Sequence, residues 1–348
     1  MAIVTIDGDS TCVELPAAVP KEMISVGNEN GKCLVRINSS SLGIIQECLR
    51  KAQYSLVEGW RADVQSPATL FGSAIHRALE IFYKGQPEER ILPKYEHLEM
   101  MAYGHIPPPT NNDLIYRAVA GFLDVAKPLS GLPETDKRSL QNGVWILNEY
   151  FKTYIDDPYV AYVDQNGPFI ERTFTHRFHE DQTLIVDIFG TIDFVFKNLR
   201  SGGLLAGDHK TASFLNFGGS SYFDREKPNH QYTMYLLGVN KVFGLSCEDF
   251  MVNVVEVKAK PKTKGAKGVS FPRQITKRTE EDFDELREVI MDAVHRYLYA
   301  KDMRVYPMGG VDACNRYGSC QFKQVCASPK SMRETILNNK FKRDSGGK

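Results

Sequence analysis

Apolar residues recur at helical spacing in several stretches of the chain. Leu42, Ile45, Leu49 and Ala52 follow one another at intervals of three and four, after Ser39, Ser40 and Ser41, which suit a helix start. Cys48 falls on this helix. Leu70, Ile75, Ala78, Leu79 and Phe82 trace a second helix that opens at Pro67, with His76 near its middle. Ile106-Pro107-Pro108-Pro109 marks an exposed loop, and residues 114–126 and 140–154 read as two more helices with Pro133 between them. The pattern then changes. Residues 169–178, 184–196 and 203–210 are rich in β-branched and aromatic side chains and predict strands, the last two joined by a turn at Ser201-Gly202-Gly203. A helix after Pro228 carries Tyr232, Tyr235, Leu236, Val239 and Val242, residues 250–257 predict a fourth strand, and residues 280–301 a long amphipathic helix. This order predicts an α/β fold with the earlier helices packed round a sheet.

Composition narrows the class. The chain has 348 residues, 42% of them hydrophobic, which is enough for a sizeable core and excludes disorder for the bulk of it. No apolar run reaches the length of about 18 residues that a membrane span needs. Residues 1–20 carry Asp7, Asp9 and Glu14 and do not read as a secretory leader. The 43 basic and 43 acidic side chains cancel, which argues against coating nucleic acid by bulk charge but not against a local basic groove. The seven cysteines are odd in number and uneven in placement. Cys314, Cys320 and Cys326 are clustered, whereas Cys12, Cys33, Cys48 and Cys247 are scattered. Clustered thiols in a chain without an export signal point to metal or cluster ligation and a cytoplasmic setting (nucleoid-associated, or host cytoplasm for a viral protein).

The sharpest candidate chemistry is Gly190-Thr191-Ile192-Asp193 followed by Gly207-Asp208-His209-Lys210-Thr211. If these lie on adjacent strands, Asp193 faces Asp208 and Lys210, while His209 points to the other face. Two carboxylates near one point suit Mg²⁺ or Mn²⁺, and a neighbouring lysine can position a water and offset charge on a phosphate. Taken alone, the triplet is equally an ion pair at a solvated strand end. Its context is Gly72-Ser73-Ala74-Ile75-His76 before it and Gln231-Tyr232-Thr233-Met234-Tyr235 after it, with Gln231 and Tyr235 one helical turn apart.

This order of G-x-x-x-H, G-x-x-D, D-x-K-T and Q-x-x-x-Y resembles the RecB-like branch of the PD-(D/E)xK nuclease superfamily. The resemblance covers about residues 40–328. It implies a mixed central β-sheet of the restriction-endonuclease-like type flanked by helices. It further implies that His76, Asp193 and Asp208 hold Mg²⁺ or Mn²⁺, that Lys210 is the catalytic lysine, and that Gln231 and Tyr235 orient the site or the DNA. Glu80 and Glu171 are possible further acidic contacts, more ordinarily solvated. His209 stands where the branch often has an apolar or aromatic residue.

One cysteine upstream (Cys48) and three at the far end (Cys314, Cys320, Cys326) resemble the iron–sulfur members of this branch, such as AddB-type nuclease domains, CRISPR-associated exonucleases and exonuclease V. The resemblance implies a C-terminal iron–sulfur segment in which these four thiolates hold a [4Fe–4S] cluster. The C-x5-C-x5-C spacing departs from the commoner C-x2-C-x5-C. Zinc, usually bound through shorter knuckles, and plain buried cysteines are the rivals.

The expected organisation is a lead-in over 1–35 and a nuclease domain over 36–328, with a helical insertion about 85–165 and the iron–sulfur segment at 311–328. A basic, flexible tail over 329–348 completes it. Lys258, Lys260, Lys262, Lys264 and Lys267, extended by Arg273, form a basic stretch expected either to follow a DNA backbone or to be a solvated loop. The resemblance favours a metal-dependent exonuclease acting on single-stranded DNA or DNA ends in recombination, repair or replication. Any unwinding would come from a helicase or recombination partner, since no nucleotide-binding G-x-x-x-x-G-K-[ST] is present. An endonuclease on the same fold and a non-catalytic DNA-binding scaffold are the alternatives.

Overall fold

The computed structural model describes residues 24–62, 65–105, 113–217, 220–226, 228–263, 267–315 and 319–343. The Pro107–Pro109 loop and Lys264 lie outside the described residues. The chain enters as an antiparallel hairpin, β1 (Ile24–Glu29) and β2 (Lys32–Ile37). Part of the expected lead-in is therefore sheet, and the expected boundary at residue 36 cuts through β2.

Helix α1 (Ser39–Glu47) is capped not by the serine triplet but by Asn38, whose Oδ1 accepts the Ser41 N–H at 2.9 Å while Ser41 Oγ accepts the Asn38 N–H at 3.0 Å. The helix expected to continue through Cys48 is broken there. Cys48 is extended (φ −166°, ψ 115°) between α1 and α2 (Leu49–Ala52), and its Sγ accepts the Gly309 N–H at 3.2 Å. After β3 (Trp60–Ala62) come α3 (Pro67–Lys84), α4 (Tyr95–Ala102), α5 (Leu114–Ala126) and α6 (Leu140–Tyr154). Ser66 and Ser139 cap α3 and α6, accepting the N–H groups of Thr69 and Asn142.

The strands that follow are β4 (Tyr159–Ala161), the small pair β5 (Val163–Asp164) and β6 (Gly167–Pro168), β7 (Ile170–Glu180), β8 (Leu184–Asn198) and β9 (Leu204–Ala212). A second small pair, β10 (Asn216–Phe217) and β11 (Ser220–Ser221), precedes α7 (His230–Phe243). Then come β12 (Asp249–Glu256), β13 (Arg273–Lys277) and α8 (Glu280–Met303). The main sheet is mixed and eight-stranded, in the order β1-β2-β8-β9-β12-β13, with β4 and β7 also paired to β8. β2 runs parallel to β8, and β9 parallel to β12 with α7 as the crossover between them.

Helices cover both faces. Ile45 of α1, Leu236 of α7 and Ile290 of α8 pack with Val186, Ile188 and Val252 in one core. Phe82, Phe122 and Phe151 of α3, α5 and α6 pack with Phe194, Phe196 and Met251 in the other. Gly207 sits where strand meets strand. A Cβ there would lie 2.2 Å from the Phe194 ring and 2.5 Å from the Met251 carbonyl oxygen.

The C-terminal segment corrects the expectation of a flexible tail. After α9 (Gly310–Asn315) and α10 (Lys323–Ala327), residues 330–343 form α11 (Lys330–Lys340) and β14 (Phe341–Arg343), which pairs with β3. A third core of Tyr54, Trp60, Phe322, Val325 and Leu337 explains the order. It needs apolar residues from two distant segments, 54–60 and 322–337, so neither displays it alone. No helix among the described residues is long and apolar enough to cross a membrane.

Candidate active site

The β8/β9 ladder stops at Phe194 and Gly207. One step further, Asp193 and Asp208 stand opposite each other where the strands part. The Asp193 carboxylate fills the opening: Oδ2 accepts the backbone N–H of His209 at 2.8 Å. Helix α3 reaches the same point from the side, with His76 Nδ1 3.2 Å from Asp193 Oδ2. One ligand atom each from His76, Asp193 and Asp208 lie within 4.8 Å of one another. On the far side of Asp208, Lys210 lies against its Oδ2 and donates to Gln231 Oε1 of α7 at 3.1 Å. Gln231 Nε2 donates in turn to Tyr235 OH at 2.9 Å. The sequence-predicted site residues His76, Asp193, Asp208, Lys210, Gln231 and Tyr235 are thus brought together. Gly190 allows this, because a Cβ there would meet Tyr235 at 3.0 Å and Phe174 at 3.2 Å.

Burial and proximity divide the charges. Burial and the neighbouring Asp193 carboxylate push Asp208 up to about 7. Burial works against ionisation of Asp193 too, but its pairing with His76 wins and holds it below the usual carboxylate range. Burial lowers His76, yet the hydrogen bond and charge of Asp193 more than reverse this and raise it to about 8. Lys210 follows the same logic: burial lowers it, Asp208 raises it, and it stays charged. Tyr235 is pushed up to about 12 by burial and by Asp208.

The donor set fits a hard divalent cation. Asp208 is 2% exposed, and its Oδ2 is paired with the Lys210 ammonium, while His76 and Asp193 bring their own ligand atoms within 4.8 Å of that carboxylate. Two carboxylates and an imidazole suit Mn²⁺ or Mg²⁺. A cleft of about 410 Å³, lined in part by Gly72, His76, Glu80, Glu171 and Asp193, opens the site to solvent. Glu171 is held at positive φ (54°) in β7, and burial with the Asp193 charge raises its carboxyl to about 7.

Arg273, expected on the DNA-binding surface, is turned inward. Its Nη1 and Nη2 donate to Asp157 at 3.0 and 2.7 Å, Nη2 also to Tyr83 OH at 2.7 Å, and Nε to Asn253 Oδ1 at 3.1 Å. The buried Asp157 neutralises it, which removes it from any outer groove. The arginine fixes the Asn253 amide, since Nε can only donate. Asn253 Nδ2 therefore points to Tyr150 OH and His209 Nδ1, both at 2.7 Å. His209 is buried, which depresses it to about 3 and keeps it neutral. Its ring does face away from Asp208, as alternation requires. Its backbone nevertheless holds Asp193, so position 209 is part of the site's support. Sequence reasoning missed Asn253 and Asp157. The available signal was a lone amide inside the apolar run Phe250–Val255.

Of the expected DNA-binding lysines, Lys258 Nζ donates to the Lys267 carbonyl at 2.8 Å, Lys260 pairs with Glu99 at 3.2 Å, and Lys262 and Lys267 are exposed. Among the cysteines, Cys33 and Cys247 lie away from the others on β2 and before β12. Burial raises Cys320 and Cys326; Cys314 adds to the first, and Cys48 and Cys320 to the second. The Cys320 N–H also donates to the Cys314 carbonyl at 2.9 Å.

Compared with known proteins, the chain matches the family described as the PD-(D/E)XK nuclease superfamily over residues 36–327. No curated protein matches it.

Proposed function

The chain belongs to the PD-(D/E)XK nuclease superfamily, and from that premise we propose that it is a divalent-metal-dependent DNA exonuclease acting on single strands or DNA ends. The observation that carries the reading is the meeting of His76, Asp193, Asp208 and Lys210 at the parting of β8 and β9. His76, Asp193 and Asp208 would hold Mg²⁺ or Mn²⁺. The bound cation supplies Lewis acidity toward the phosphate and acidifies a coordinated water. Lys210, held by Asp208 and Gln231, presents an ammonium that orients a water and offsets charge developing on the phosphate oxygens. Tyr235 fixes Gln231 and so fixes the lysine.

The chain order from His76 through Tyr235 supports the RecB-like branch. The same branch supports a [4Fe–4S] cluster on Cys48, Cys314, Cys320 and Cys326. Cys48 leaves its helix and lies against Gly309, Cys314 acts on the thiol of Cys320, and Cys48 and Cys320 act on that of Cys326. Four thiolates would bind such a cluster and staple the segment at Cys48 to the C-terminal one. A cytoplasmic setting, action in recombination, repair or replication, and a helicase or recombination partner complete the reading.

The test is cleavage of end-labelled linear and circular single-stranded DNA with Mg²⁺ or Mn²⁺, by wild type purified without oxygen and by Asp208→Ala. Wild type is expected to degrade the linear strand and spare the circle, and Asp208→Ala to leave both intact. Cleavage of circles would make it an endonuclease, and a folded but inactive wild type would make it a scaffold. Iron and sulfide analysis of wild type and Cys314→Ser tests the cluster, and zinc in their place would overturn it.

A further inference from the structure

An exposed aromatic ring stands at the end of the catalytic strand. Phe214 follows β9 by two residues and is 60% exposed. Its Cα lies within about 14 Å of that of Lys210 by chain length alone. The Lys137 ammonium lies 5.2 Å from the centre of its ring. Arg138 Nη2 donates to Ser213 Oγ at 3.2 Å. The segment before α6 is thereby docked on the segment after β9.

The start of the lysine-rich stretch comes to the same place. The Val257 N–H donates to the Ala212 carbonyl at 2.7 Å, tying the end of β12 to the end of β9. Buried Asn142 then clamps the two basic segments together. Its Nδ2 donates to the carbonyls of Lys137 and Lys258 at 2.8 and 2.7 Å, and its Oδ1 accepts the Lys260 N–H at 2.6 Å. β9 and β12 are parallel and both end here, and the carboxyl ends of parallel strands are where open α/β sheets take ligands.

We propose that Phe214, with Lys137 and Arg138 beside it, is a stacking platform for an unpaired base of single-stranded DNA that continues away from the catalytic site. This rests on the nuclease reading above and names the form of its substrate. A phenyl ring offers a flat apolar face to any base, and only a base outside a duplex presents a free face to it. The cations beside the ring complement the phosphates on either side of that base. Glu99 offsets Lys260 at 3.2 Å, so the contact next to the ring belongs to Lys137 and Arg138.

The test is binding of fluorescently labelled oligonucleotides in EDTA, which prevents cleavage, followed by anisotropy. Three probes are compared: a mixed-sequence single strand, the same strand with abasic sites throughout, and the duplex. Phe214→Ala is expected to weaken the single strand at least ~5-fold, the lower end for loss of one stacked base. Phe214→Trp is expected to restore it, and neither variant to change affinity for the abasic strand or the duplex. Equal weakening of all three probes, or none for the single strand, overturns the platform. Wild-type cleavage of the single strand with Mn²⁺ is measured in parallel. Normal cleavage with no effect of Phe214→Ala removes the platform and leaves the nuclease standing, whereas a wild type that neither binds nor cuts DNA removes both.

Discussion

His76 and Asp208 both hold protons near neutrality, and this ties cation binding to pH. The coordinating forms are the neutral imidazole and the ionised carboxylate. His76 is raised to about 8 and Asp208 to about 7, whereas Asp193 is lowered and is already charged. Protons therefore compete with the cation, and affinity falls as pH falls. Mn²⁺ affinity is expected to level off at alkaline pH and to fall as pH falls through neutrality, by up to about 100-fold per pH unit once both groups are protonated. Titration calorimetry in buffers of different ionisation enthalpy would measure the released protons. Release near zero throughout that range would sink the assignment of these two residues as ligands. At this scale the sequence was informative, because each proposed ligand sits in a short motif whose spacing survives in one dimension. Glu171, expected as a possible acidic contact, does line the cleft, but the way it gets there was not legible. Its carboxylate reaches the cleft through a positive φ, a backbone state unusual for a side chain of this kind that no local pattern announces.

Among the elements, those that bury one stripe or one face were legible. α3, α5 and α6 bury their apolar stripes in one core, as their periodicity predicts. What was not legible depends on contacts across the chain. The break at Cys48 is set by Gly309, and the inward turn of Arg273 by Asp157, 116 residues earlier. The Asn253 network is the strongest instance, since β12 is otherwise apolar between Asp249 and Glu256 and contributes a single amide that serves β9, α6 and β13 at once. Replacing Asn253 by Leu would leave His209 Nδ1 and Arg273 Nε without partners, at about 1–3 kcal/mol for each group left buried and unpaired, while Tyr150 keeps Tyr83. The variant is expected to lose ~3 kcal/mol or more in urea unfolding. Because His209 carries the N–H that holds Asp193, kcat should also fall at saturating metal while DNA affinity in EDTA is kept. Unchanged kcat in a folded variant would mean that the network supports the fold alone.

At the scale of the molecule, residues 54–60 and 322–341 are held together by a core that shares no residue with the two main ones. Trp60 lies in this third core, 6% exposed, with the Arg343 guanidinium 4.8 Å from its ring. Phe341 stacks on Phe322 at 5.0 Å, and β14 supplies the only strand partner of β3 among the described residues. Deleting residues 330–348 removes α11 and β14, and with them the burial of Leu337 and the Phe341 contact. Each buried side chain of this size contributes about 1.5–3 kcal/mol, which is a large share of what so small a core supplies. The segment from Cys314 to Cys326 then loses its support, whereas the sheet and its helices keep theirs. The chain has two tryptophans, and the other, Trp145, is buried on α6 in a main core, so the two report separately. The truncated protein is expected to show a red shift from Trp60 only, early proteolysis near residues 311–328, and an unfolding midpoint for the main body close to that of the full chain. A Trp60→Phe control removes the shifted component. Loss of structure at both tryptophans in one transition would show instead that the stapled ends and the catalytic sheet fold as one cooperative unit, and the proposed cluster would then act on the whole nuclease rather than on its terminal segment.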